Sequence, residues 1–124
     1  MPARDELAGF IRSHFPSVWS LELLLHLRSG AGQPWSKETL VTILRASDAI
    51  ITTSVDALVA GGLVVTEQGD AVRFSPATKD LARLVGEVAE LYAKKPDAVR
   101  RLIVLSPARG LTAFADAFNL RRDQ

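Results

Sequence analysis

The segment from Trp35 to Pro76 constrains this chain most. Ser36 stands ahead of a helical pattern running from Lys37 to Arg45. A corner follows at Ala46-Ser47-Asp48, and a second helical pattern continues to Ala60. Gly61-Gly62 stops that helix, because glycine takes the left-handed conformation at a helix end without steric penalty. Leu63 to Thr66 and Val72 to Phe74 then flank the turn-like Gln68-Gly69-Asp70. Helix, tight turn, helix and hairpin in that order, within about forty residues, leave few ways to build a core. Ile51, Val55 and Leu58 share one face of the second helix, and Asp48, Thr52 and Asp56 share another.

The flanking segments read as helices. Ala3 to Arg12 spaces Leu7, Phe10 and Ile11 at helical intervals. Pro16 is placed to start a second helix running to about Arg28, with a wide apolar face at Val18, Leu21, Leu24 and Leu25. Ser29 to Pro34 is a loop by its glycines and proline, and Trp35 after it is an anchor or a single strand-pairing residue. Ser36 and Ser47 are the expected N-caps of the two central helices, with Glu38 and Asp48 suiting the dipoles of their first turns. Ser75-Pro76 and Thr78 both punctuate the start of a later helix reaching Lys94, where Leu81, Leu84, Val85, Val88, Leu91 and Tyr92 hold a period near 3.6. Pro96 breaks it, and Asp97 to Leu105 forms another helix whose Leu102-Ile103-Val104-Leu105 run, apolar on all sides, is expected to be buried either in the domain or against a second copy. The fold class is therefore mainly α with a small β-hairpin. It divides into residues 1–76 and a C-terminal helical extension, residues 77–124, that serves packing, dimerisation or partner docking.

Composition narrows the chemistry. With 124 residues, 48% hydrophobic and 23% charged, the chain has the make-up of one folded domain rather than a disordered tract. It contains no cysteine, which excludes disulfides, thiol catalysis and cysteine-ligated zinc. The richest apolar stretch, Val18 to Leu27, is interrupted by Glu22 and His26, too short and too polar to cross a bilayer. The first residues carry acids and no apolar signal core, so a cytoplasmic protein without a membrane role is expected. His14 and His26 are the only histidines, twelve positions apart and without a carboxylate at ligand spacing, where a metal needs three or four convergent groups. Ser17 near His14 lacks the orienting acid of a nucleophile pair. Gly30-Ala31-Gly32 lacks the lysine and preceding strand of a phosphate loop. No enzyme activity, metal or cofactor is expected. Trp19 and Trp35 read as core anchors rather than as the lining of a ligand pocket.

Val55-Asp56-Ala57-Leu58-Val59-Ala60-Gly61-Gly62-Leu63-Val64 resembles the end of the recognition helix and the start of the wing in winged helix-turn-helix bacterial transcriptional regulators, the MarR-like and ArsR-like groups. The resemblance covers roughly residues 16–76 and implies a winged helix-turn-helix fold. It implies double-stranded DNA as partner, with helix 47–60 in the major groove and hairpin 63–74 on the backbone. The residues it points to are Thr52 and Thr53 on the recognition helix, with Lys37, Arg45 and Arg73 beside it.

The charge distribution points the other way. Residues 36–75 carry three basic side chains against five acidic ones, a net of −2, and no Lys or Arg lies between Ala46 and Gly62. Residues 76–124 carry nine basic against six acidic, a net of +3. DNA affinity rests largely on Lys and Arg neutralising phosphates, and base specificity on donors such as Arg to guanine. A second reading is accordingly a protein-interaction module that keeps the fold without binding DNA, with Asp48, Asp56, Glu67 and Asp70 meeting a basic partner. In the last segment, Phe114 and Phe118 lie one turn apart and are followed by Leu120 and Arg121-Arg122, a pattern of apolar anchors with a charged tip suited to partner docking. Helices added after the wing suggest a homodimer formed through the C-terminal part, since such helices often dimerise in the group the chain resembles.

Overall fold

In the computed structural model, which describes residues 2–30 and 32–104, local signals in the sequence set most element boundaries. The elements are α1 (Pro2–His14), α2 (Val18–Ser29), α3 (Lys37–Leu44), α4 (Asp48–Ala60), β1 (Val64–Thr66), β2 (Val72–Phe74), α5 (Lys79–Lys94) and α6 (Pro96–Val104). The fold is mainly helical with a small antiparallel hairpin, a helix-turn-helix and wing followed by C-terminal helices. Ser36 and Ser47 cap α3 and α4 by accepting hydrogen bonds from the Thr39 and Ile50 amides, each at 3.1 Å. Thr78, not Ser75, caps α5 through the Leu81 amide at 3.0 Å. Pro96 sits in the first turn of α6, where its missing N–H is no loss.

The start of α2 differs from expectation. Ser17 and Ser20 form a reciprocal capping box, each hydroxyl accepting from the other's amide at 3.2 Å. The two hydroxyls supply side-chain acceptors to amides at the helix start, so the helix begins after Ser17 and not at Pro16.

β1 and β2 pair in the register Val64↔Phe74, Val65↔Arg73 and Thr66↔Val72. A helical turn at Gln68–Asp70 joins them, with Gly69 at φ 74°. Trp35 adds a third, single-residue pairing: its amide donates to the Val72 carbonyl at 2.8 Å, and the Val72 amide donates back at 2.7 Å. Gly62, at φ 76°, lets the chain leave α4 and turn into the hairpin.

The core joins every helix. Phe10, Ile11 and Phe15 from the α1 end, Leu21, Leu23, Leu24 and Leu27 from α2, and Ile51, Val55 and Leu58 from α4 are all buried together. Leu84, Val85 and Val88 of α5 and Val99 and Ile103 of α6 belong to the same cluster. α2 packs on α4 and β2, while α5 and α6 pack on each other and on α1. Polar links reinforce this layer. The Tyr92 hydroxyl donates a short hydrogen bond to the Glu22 carboxylate, joining α5 to α2. Arg83 of α5 donates to Asp80, Glu87 and, across to α1, Glu6.

Burial of two apolar segments is incomplete within the single chain. Of the Leu102-Ile103-Val104 run only Ile103 is buried, and Val104 is 63% exposed. α6 lies against α1 and α5 with one stripe, so the opposite face of an apolar run still meets solvent. Trp19 is 38% exposed at the start of α2 instead of anchoring the core. Phe114, Phe118 and Leu120 lie outside the described residues.

Candidate nucleic-acid interface

α4 separates its residues cleanly. Ile51, Val55 and Leu58 face α2 and the core, and Ser54 beside them is also buried. Asp48, Ala49, Thr52, Thr53 and Asp56 are exposed. Thr52 and Thr53 therefore offer two neighbouring hydroxyls to solvent, flanked by carboxylates at both ends of the helix face.

The five candidate DNA-binding residues come from three elements, α3 and its end, α4, and β2. Thr52 and Thr53 share the exposed side of α4. Lys37 and Arg45 lie at opposite ends of α3, about 12 Å apart along its axis at 1.5 Å per residue. The Trp35–Val72 pairing brings the segment entering α3 alongside β2, so Lys37 belongs to the wing end of the surface with Arg73. Arg73 is not available as a lone cation: its Nε donates to Glu67 Oε2 at 2.7 Å. Glu67 follows β1 and Arg73 lies in β2, so the hairpin turn closes the pair.

Arg45 differs from the other candidates. It ends α3 with φ 55° and ψ 43°, the left-handed conformation, and it is exposed. Its amide and that of Ala46 both donate to the Val41 carbonyl, the latter at 3.2 Å, closing the last turn. The buried Ala46 side chain pins the corner between α3 and α4. Ile43 and Val59, 43% and 41% exposed, add apolar surface to the same two helices. The helical period alone does not mark them, because each sits at the margin of an apolar face.

Trp35 acts as the anchor of the wing. Its ring packs against His26 of α2 with centroids 4.6 Å apart and lies over Gly30, where a β-carbon would approach it to 3.1 Å. His14 stacks on Phe10 at 4.3 Å and packs on Gly61 at the end of α4. Both histidines are thus structural. Among the described residues no group of His, Asp and Glu is arranged to hold a metal, and no helix is long and apolar enough to cross a membrane.

No protein-family model matches the chain, and no curated protein does. One similar solved structure is that of RV1404 from Mycobacterium tuberculosis, at 21% identity and a TM-score of 0.44, over 94% of this chain and 88% of that one.

Proposed function

We propose that this chain is a small DNA-binding transcriptional regulator of the winged-helix type. The observation that supports this best is the exposed side of α4. The fold spends Ile51, Val55 and Leu58 on packing and leaves Thr52 and Thr53 free toward solvent beside a wing. Threonine hydroxyls and helix-corner amides hydrogen-bond phosphates and base edges, while Lys37 and Arg45 neutralise phosphates on either side. With so few cations, one copy holds duplex weakly. Two copies on adjacent half-sites would multiply that affinity. The C-terminal helices are the proposed seat of such a dimer: α5 presents Gly86, Ala89 and Ala93 along an open groove with Arg28, Arg83, Glu87 and Glu90.

A second reading follows from the Arg73–Glu67 pair. With Arg73 neutralised and Asp48 and Asp56 exposed, the same surface is acidic and suits a basic protein partner. Anisotropy of labelled duplex DNA, titrated with protein at low and then physiological salt, separates the two. Binding that weakens steeply with salt supports the regulator. Absence of binding at low salt rejects it in favour of the protein-interaction module.

A further inference from the structure

We infer that residues 111–118 dock as an antiparallel helix on the outer face of α6 of their own chain. The inference holds whether α4 meets DNA or a protein. α6 buries Val99 and Ile103 and turns Asp97, Arg100, Arg101 and Val104 outward, around an open groove of about 440 Å³. Val104 is 63% exposed, more than Trp19, Ile43 or Val59. Arg100 is drawn to one side of the groove. Its guanidinium lies 5.4 Å from the centre of the Tyr92 ring and donates to Asp97 at 3.3 Å. That leaves the Arg101 stem and Val104 as an apolar floor with a cationic edge.

The sequence that follows α6 matches this face. Val104 runs directly into residues 105–124, so the groove lies at the root of that segment. From Val104 backwards along α6, the outward residues Val104, Arg101 and Asp97 come at steps of three and four. From Leu111 forwards, Leu111, Phe114 and Phe118 come at the same steps of three and four. A reversal of the chain between them sets Leu111 beside Val104, Phe114 beside Arg101 and Phe118 beside Asp97. Each stripe covers about 10 Å of helix axis. Residues 105–110 contain Pro107 and Gly110, suited to a turn, and their number is usual for a connection between antiparallel helices. Phe114 would stack on the Arg101 guanidinium. Arg121-Arg122 follow Phe118 by one turn, at the end of the stripe where Asp97 is 85% exposed. A tether this short gives the segment an effective concentration in the millimolar range, which favours its own α6 over that of a second copy.

The chain has no cysteine, so an introduced pair reports contact without background. The test uses the full chain carrying Arg100→Cys and Ala115→Cys, positions that face each other in the same register and leave Leu111, Phe114 and Phe118 in place. A disulfide needs α-carbons within about 7 Å. Mild oxidation should close this pair within one molecule, read by non-reducing electrophoresis and intact mass. Arg100→Cys with Ala113→Cys, on the opposite side of the helical stripe, should stay reduced. Adding Phe114→Asp to the first pair should abolish closure while circular dichroism still shows a folded, cooperatively melting chain. Failure of the first pair to close in a folded protein overturns the inference. So does equal closure of both pairs, or closure that survives Phe114→Asp. A covalent dimer in place of the closed monomer overturns it in favour of a second copy as the occupant.

Discussion

Arg73 Nε donates to Glu67 Oε2 at 2.7 Å, so the cation of the wing is held by an acid from the same hairpin. Both side chains are roughly a third exposed, and such surface pairs contribute little to stability. The pair matters instead for what the wing presents to a polyanion.

Glu67→Gln is expected to release Arg73. Stability should change by less than about 0.5 kcal/mol. Duplex affinity at low salt should rise a few-fold if the wing meets the DNA backbone, read by anisotropy alongside a denaturant melt. Unchanged affinity would remove the wing from the interface.

Charge on α4 provides a second check. Asp56 is exposed and is not needed for packing, so Asp56→Lys should leave the fold intact. If α4 enters the groove, affinity should increase on the order of tenfold at low salt, and Arg73→Glu should abolish binding. An Asp56→Lys protein that binds duplex no better than wild type would favour the protein-partner reading.

The end of α4 depends on a close approach to α1. A β-carbon at Gly61 would stand 2.7 Å from His14 Cδ2. Gly61→Ala should destabilise the fold by about 1–3 kcal/mol, the usual range for overpacking. The loss should shrink in a His14→Ala background, because the clashing ring is gone. Urea melts of the single and double variants measure this coupling; equal losses in both backgrounds would place the strain elsewhere.

Tyr92 should make the fold sensitive to alkali. Burial, followed by its hydrogen bond to the Glu22 carboxylate, pushes the phenol above its ordinary value of 10.0, while Arg100 over the ring opposes the rise. A raised folded-state value means that the native state holds the proton more tightly than the unfolded chain. Its contribution to stability is complete below about pH 10 and declines as pH rises through the folded value. Tyr92→Phe should be less stable at neutral pH and should lose this part of the alkaline decline, as followed by melting temperature between neutral and strongly alkaline pH.

Much of the architecture was legible in the residues because its signals are local. The Ser36, Ser47 and Thr78 caps, the Gly62 turn and the apolar spacing of Ile51, Val55 and Leu58 each act within one or two helical turns. The order helix, corner, helix, hairpin follows from them, as does the exposure of Thr52 and Thr53. Capping chemistry can also mislead at short range, as at Ser17, where two hydroxyls prevail over the proline signal.

Only the tertiary structure decided how those pieces share their surfaces. It made Trp35 the third member of the wing through Val72, 37 residues away, and closed Arg73 onto Glu67. It left Trp19 exposed where the sequence suggested a core anchor, and Val104 exposed on the single chain. Spacing along one helix defines which residues share a face. Which face is covered depends on the other helices, and those contacts are long-range. The same holds for charge: the sequence by itself determined that the region from Ser36 to Ser75 is net negative, and the fold decided that Arg45, unlike Arg73, meets solvent without a carboxylate partner among the described residues.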